Sequence, residues 1–189
     1  MSSHGLAQLT RYSVISRMKR LDPEIRPAQL EDAAAITACV AAAYRRYIAR
    51  IGKPPAPMLD DYAELIQRHK VFVLADQENI IGILVLIEKE QYLLLDNVAV
   101  HPDHQRRGLG QKLIGLAEAE ALRLGFNSIV LYTHVQMTEN INLYKKLGFV
   151  ETERKREDGY QRVYMRKLLP GSPPGDRTSH PIDRATPSK

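Results

Sequence analysis

The sequence predicts a mixed α/β fold, a largely antiparallel sheet of six or seven strands carrying about four helices. Three observations lead there. Apolar runs at 71–75, 80–88 and 92–100 follow one another through connections too short for a helix, which implies an antiparallel meander. A helical pattern at 107–124 then stands between two apolar strands, the arrangement of a right-handed crossover with parallel pairing. Two last runs meet through Asp158-Gly159, a pair suited to a tight hairpin turn.

In chain order, residues 24–28 read as a short strand. Leu30-Glu31-Asp32 leads into an Ala-rich helix reaching about residue 49, because alanine loses the least on entering a helix. Gly52-Lys53-Pro54-Pro55-Ala56-Pro57 must end it. A shorter helix is expected at 59–69, with Tyr62, Leu65 and Ile66 on one face. After the meander, whose first turn is Gln77-Glu78-Asn79, Gly125 stops the long helix and a strand covers 128–134. Thr138 is placed to cap a helix that carries Leu143 and Leu147 and stops at Gly148. The hairpin pairs 149–156 with 160–168, and no internal repeat is present.

The chain has 189 residues, 44% of them hydrophobic, enough for one globular domain with a real core. No apolar run is long enough to span a bilayer as a helix, so no membrane partner is expected. The single cysteine, Cys39, excludes an internal disulfide framework and suits a reducing, cytoplasmic setting. The net charge of +5 lies at the ends of the chain. Arg11, Arg17, Lys19 and Arg20 precede the first acid, Asp22, while the stretch from Asp22 to Leu169 is formally neutral. A neutral core with basic ends is not the footprint of a nucleic-acid-binding domain. Residues 1–21 read as a basic, disordered leader, with a transit segment or a start at Met18 as alternatives. The domain is expected at 22–169, followed by a Pro-rich disordered tail at 170–189.

The most informative stretch runs from Asp96 to Leu113. An apolar strand enters the turn His101-Pro102-Asp103-His104, then come Gln105-Arg106-Arg107-Gly108-Leu109-Gly110-Gln111-Lys112 and a helix. Small residues at 108 and 110 let backbone N–H groups approach an anion, and the helix N-terminus adds partial positive charge. No Gly-Lys-Ser/Thr closes the loop, so it is not a P-loop. The third glycine of a dinucleotide fingerprint falls on Leu113. Alone, such a loop is also compatible with an ordinary turn.

Its neighbours add a second motif, Asn142-Leu143-Tyr144-Lys145-Lys146-Leu147-Gly148-Phe149. The two motifs in this order resemble the GNAT superfamily of N-acetyltransferases, over about Glu24 to Leu169. The resemblance implies the GNAT-like fold with a splayed central parallel strand pair, and acetyl-CoA as co-substrate. Its pyrophosphate would rest on the loop from Gln105 to Gly110, with Arg106, Arg107 and Lys112 as countercharge and Leu109 and Gln111 within the same turn. The pantetheine arm would pair with the backbone of Val98, Ala99 and Val100.

The resemblance also implies Tyr144 as the general acid that protonates the departing thiolate. Asn140 lies one helical turn earlier and is a further cofactor contact. The commoner family pattern places that asparagine at the position of Met137. The base is open among Asp96, Tyr132, His134, Glu139 and a water chain. Strict alternation puts Asp96 on the strand face of Val98 and Val100, and Tyr132 on that of His134. His101 and His104 are assigned to the turn and no metal is expected, while Cys39 reads as a small buried apolar residue.

The acceptor implied is an amine of a small molecule or a peptide, chosen by the first two helices and the last hairpin. Tyr44, Tyr47, Arg50, Met58, Asp60, Asp61 and Tyr62 lie in the former, and Arg156, Tyr160 and Tyr164 in the latter. Tyr44 and Tyr47 also fit helix packing. The family resemblance is compatible with a homodimer. The rival reading is a non-catalytic acyl-CoA-binding sensor or interaction module on the same fold.

Overall fold

The computed structural model describes residues 22–171, so the expected leader and nearly all of the tail lie outside the described residues. The elements are β1 (Glu24–Pro27), α1 (Ala33–Ile51), α2 (Tyr62–Arg68), β2 (Lys70–Asp76), β3 (Asn79–Glu88) and β4 (Leu93–Val100). Then follow α3 (Leu109–Arg123), β5 (Ser128–His134), α4 (Thr138–Lys146), β6 (Val150–Glu157) and β7 (Tyr160–Leu168). They form a mixed α/β fold on one seven-stranded sheet, ordered β1-β2-β3-β4-β5-β7-β6. Only β4 and β5 pair in parallel, on either side of α3 in the chain. Among the described residues no helix is long and apolar enough to cross a membrane.

The last hairpin docks through β7 rather than β6. Val163, Tyr164 and Met165 of β7 are buried, whereas β6 reads Val-Glu-Thr-Glu-Arg-Lys-Arg-Glu and is mostly exposed. The more buried strand, β7, pairs with the whole length of β5, and the charged one becomes the sheet edge, where charge discourages edge-to-edge association.

Helices cover both faces. On one, α3 and α4 press Leu113, Ile114 and Ile141 onto Leu84, Leu86, Leu93, Leu95 and Leu131. On the other, α1 and α2 bring Ile36, Val40, Tyr44, Tyr47 and Tyr62 onto Val71, Val73, Ile83, Val85 and Ala99. Covered on both sides, β3 reads as a continuous apolar run instead of an alternating one.

Three local expectations are corrected. Helix α2 begins at Tyr62 rather than 59, because Ala56–Met58 forms a separate 3-10 turn and Asp61 caps the helix, accepting from the N–H groups of Ala63 (2.9 Å) and Glu64 (3.1 Å). Helix α3 begins at Leu109 rather than 107, since Arg106 and Gly108 hold left-handed backbone at φ 61° and 76°. Thr138 is the first residue of α4 and not its cap; Met137 holds that position without a side-chain capping bond.

A fourth correction reaches the site. The register between β3 and β4 passes from Leu86↔Leu95 to Val85↔Asn97, so Asp96 is an extra residue in β4. Such a bulge inverts the alternation beyond it. Leu93 and Leu95 face α3, and so do Val98 and Val100 after the bulge, while Asn97 and Ala99 turn toward α1. Asp96 therefore does not share the face of Val98 and Val100. Its carboxylate meets Tyr132, whose ring belongs with Leu94, Val130 and Tyr164 on the opposite side.

Candidate active site

The parallel ladder has only three rungs, Leu93↔Ile129, Leu94↔Val130 and Leu95↔Leu131. Beyond Leu95 and Leu131 the two strands stay held by their outer neighbours and pair no further with each other. The β5-facing edge of β4 from Asp96 to Val100 thus has no strand partner among the described residues. This is a fork in the sheet, and a cavity opens on each side of it.

The larger cavity, about 530 Å³, is walled by Val98, Ala99 and Val100, by the glycine loop and by α4. The Pro102–His104 turn leads into the loop, and the Gln105 amide Nε2 donates to the Val100 carbonyl at 2.8 Å, pinning the loop to the end of β4. The first backbone bond of α3 runs from the Lys112 N–H to the Gly108 carbonyl at 3.0 Å. The N–H groups of Leu109, Gly110 and Gln111 consequently have no intrahelical acceptor. Gln105, Arg106, Gly108, Leu109, Gly110 and Gln111 all line the cavity. Arg107 and Lys112 do not; Arg107 instead contacts His104 Nδ1 at 3.1 Å. His101 and His104 belong to the turn, His101 Nδ1 accepting from the Asp103 N–H at 3.4 Å.

The smaller cavity, about 50 Å³, lies across the fork and is lined by Asp96, Tyr132, His134, Tyr160 and Arg162 together with Pro55–Pro57. Four residues, Tyr44, Val98, Asn140 and Tyr144, stand in the walls of both cavities. Tyr144 is 7% exposed, and its ring packs edge-on against Phe149 at 5.8 Å. Among the described residues its hydroxyl makes no hydrogen bond, and no sealed side-chain N or O lacks a partner, so this hydroxyl opens onto cavity space. Burial pushes the phenol well above its ordinary range and keeps it protonated.

Asn140 Oδ1 accepts from the Tyr47 hydroxyl at 3.3 Å, and Arg46 donates to that hydroxyl at 2.6 Å. One turn further along α1, Arg50 grips both oxygens of Glu139 at 2.8 and 2.9 Å. Helices α1 and α4 are thus joined across the larger cavity. A backbone hydrogen bond and Arg50 hold the Glu139 carboxyl below its usual range. So paired, and lining the larger cavity, Glu139 is badly placed to serve the other side.

On the smaller side, Asp96 Oδ1 accepts from the Tyr132 hydroxyl at 2.8 Å. Burial raises the Asp96 carboxyl, and this hydrogen bond offsets part of the rise. Arg162 lies over the Tyr132 ring at 4.4 Å and is itself engaged by Glu157 (2.6 Å) and Asp158 (3.2 Å). His134 Nδ1 accepts from the Gln136 N–H at 3.2 Å, and burial and then Lys53 lower its pKa, so the ring is neutral at neutral pH. Asp60 is pushed up to about 6 by burial and by the charge of Asp96.

Two features escape a reading of local pattern. Asn97, 1% exposed, accepts from the Tyr44 hydroxyl at 2.8 Å and donates to that of Tyr62 at 2.9 Å; Tyr62 in turn donates to the Pro57 carbonyl at 2.8 Å. This network fastens α1, α2 and the Pro-rich loop to β4 at the fork. Arg162 is the second, and nothing in the local pattern sets it apart from Arg166 and Lys167 of the same strand. Cys39 is buried in α1 with its thiol pushed up to about 11, mainly by burial, which fits a packing residue and not a nucleophile.

Comparison with known proteins bears on the family and the fold. The family model described as acetyltransferase (GNAT) family matches residues 36–149, more than half of the chain. Among curated proteins, a probable N-acetyltransferase 14 of Xenopus tropicalis is 31% identical over 101 residues, 52% of this chain and 49% of that protein. The L-amino acid N-acyltransferase MnaT of Escherichia coli is 38% identical over 63 residues, 33% of this chain and 37% of that protein. The chain spans about half or less of the length of these two relatives. A solved structure, the PaiA N-acetyltransferase of Thermoplasma acidophilum in complex with coenzyme A, has the same fold with a TM-score of 0.66 at 19% identity, covering 79% of this chain and all of that one. The chain belongs to the acetyltransferase (GNAT) family.

Proposed function

We propose that the protein transfers the acetyl group of acetyl-CoA to a primary amine, by direct attack of the neutral amine on the thioester carbonyl. The observation that carries this reading is the fork itself: two cavities of unequal size meet at Tyr144, one beside a run of free backbone donors and the other beside a buried carboxylate. The donor set suits a diphosphate. Three N–H groups at the start of α3, with Arg106 in the same wall, supply the short-range donors and charge such a group needs. Bound there, acetyl-CoA would supply an activated acyl carbon and a thiolate leaving group.

The chain's own residues supply the rest. The unpartnered edge of β4 from Asp96 to Val100 offers peptide groups to an extended pantetheine arm, and its N–H groups near Val98 can polarise the thioester oxygen. Asp96 accepts a proton from the incoming ammonium, a task that its raised pKa favours. Tyr144 donates a hydrogen bond to the sulfur as the C–S bond breaks and the N–C bond forms. A phenol held this far above a thiol near ~8.5 gives up its proton reluctantly, so the hydrogen bond comes first and proton return follows. The acceptor ammonium loses two protons in all. One ends on the thiol and one reaches solvent. Tyr132, bonded to Asp96, and His134, neutral beside Tyr160, are acceptor-side residues in this account, and Asn140 sits at the junction of the two cavities.

The test is thermal unfolding with and without acetyl-CoA. The expected result is protection of the parent protein and none for Gly108→Glu, which places a carboxylate at the donor loop and a side chain at φ 76°. Protection that survives the substitution would refute the placement of the anion site.

A further inference from the structure

The smaller cavity also restricts the acceptor, an inference that rests on the acetyl-transfer reading above. Its volume is about 50 Å³. A water-sized group needs roughly 10–15 Å³ of such space, so the pocket has room for only a few heavy atoms. Its outer wall is strapped. The Tyr160 hydroxyl donates to the Pro54 carbonyl at 2.7 Å, and Lys53 Nζ stands 3.4 Å above the Tyr160 ring and donates to the Asp158 carbonyl at 3.3 Å. These contacts tie the Pro-rich loop after α1 to the turn between β6 and β7. The inner wall is stiff as well, because Asn97, Tyr44 and Tyr62 are locked together.

The cationic side chains around the wall are already engaged. Among the described residues Arg162 is the only Lys or Arg lining the pocket, and Glu157 and Asp158 already engage it; Lys53, on the outer strap, is held by the Tyr160 ring and the Asp158 carbonyl. His134 is neutral at neutral pH. Among the described residues Asp96 is the one carboxylate side chain lining the space, and the aromatic residues Tyr44, Tyr132, Tyr144 and Tyr160 surround it. Aromatic faces attract a cation and repel an anion. An ammonium gains from Asp96 and from the rings, whereas a carboxylate gains from neither.

We propose that the acceptor is a primary ammonium on an unbranched alkyl carbon, held by Asp96 in a pocket too narrow, and too poor in unpaired cationic side chains, for an α-amino acid. The pocket takes the amine and the first few methylenes; the remainder of the molecule lies outside.

Three amines of matched size test this, each supplied with acetyl-CoA while release of the CoA thiol is followed. n-Butylamine and sec-butylamine differ only in branching at the carbon that bears nitrogen. 2-Aminobutanoate replaces one methyl of sec-butylamine with a carboxylate. The expected order of kcat/KM is n-butylamine above sec-butylamine by about tenfold or more, with 2-aminobutanoate lowest. In Tyr160→Phe, which lacks the bond to Pro54, the ratio of the first two is expected to fall severalfold. Equal rates for n-butylamine and sec-butylamine, a preference for 2-aminobutanoate, or an unchanged ratio in Tyr160→Phe would overturn the inference and leave acetyl transfer standing. No thiol release from any of the three, or from arylamines and peptide N-termini, would overturn both.

Discussion

The Tyr132 hydroxyl donates a 2.8 Å hydrogen bond to Asp96, one residue past the last rung that joins β4 to β5. This bond lowers a carboxyl that burial raises. If Asp96 takes the amine proton, the acid limb of the pH profile reports its ionisation and lies above the ordinary carboxylate range. Tyr132→Phe removes the stabilising donor and moves that limb to still higher pH. Asp96→Asn is expected to lower kcat by about 10²- to 10⁴-fold, the usual contribution of a positioned base. Profiles of kcat/KM against pH for the parent and Tyr132→Phe check the direction; a limb that moves to lower pH, or does not move, contradicts the assignment.

The Tyr144 hydroxyl has no hydrogen-bond partner among the described residues, and the residue stands in both cavity walls. Tyr144→Phe keeps the ring contact with Phe149 and removes only the hydroxyl. The expected outcome is a fall in kcat of about 10²-fold with acetyl-CoA affinity unchanged. Separate measurement of binding by calorimetry and of turnover by thiol release tells the two apart.

The network centred on Asn97 is a stability device at the fork. Asn97→Ala removes the acceptor of the Tyr44 hydroxyl and the donor to Tyr62 in a site that is 1% exposed. The expected loss is about 2–4 kcal/mol, from a buried donor left without an acceptor and a small cavity. Denaturant unfolding measures it. A change below about 0.5 kcal/mol, the scale of an ordinary surface substitution, would contradict the account.

Asp60 provides a second pH signature. Its carboxyl is raised from 3.8 to about 6, so the stability it contributes is present below pH 3.8 and lost as pH rises through 6. At neutral pH its ionised form therefore opposes folding. The unfolding temperature of Asp60→Asn is expected to exceed that of the parent by a margin that grows from pH 4 to pH 7. A margin that shrinks over this range would contradict the burial of an ionised Asp60.

Much of the fold was legible because its signals are local. The meander of β2, β3 and β4 follows from short connections between apolar runs, and the strand Ser128–His134 was bounded correctly by Gly125 and by its own composition. The glycine loop and the Leu-Tyr…Gly-Phe element were readable for the same reason, since each is a contiguous motif. What was not legible depends on distant partners. The bulge at Asp96 leaves no mark on the strand's own pattern, because the extra residue is defined only by the register of β3. The placement of β7 between β5 and β6 is a competition between two strands for one edge, and the locking of Asn97 joins residues 35 and 53 positions apart in the chain. Arg162 and the strap from Lys53 to Tyr160 likewise bring together separate elements. These long-range terms set a second cavity beside the one that the glycine loop lines.

The most direct test of the central claim is amine-dependent release of the CoA thiol from acetyl-CoA, compared between the parent protein and Tyr144→Phe. The account predicts release that requires both the protein and a primary amine, with one acetylated amine formed per thiol, and a rate about 10²-fold lower in the variant. Acetyl-CoA that protects the protein against unfolding while no amine yields thiol would contradict it, and would mark the fold as a binding module.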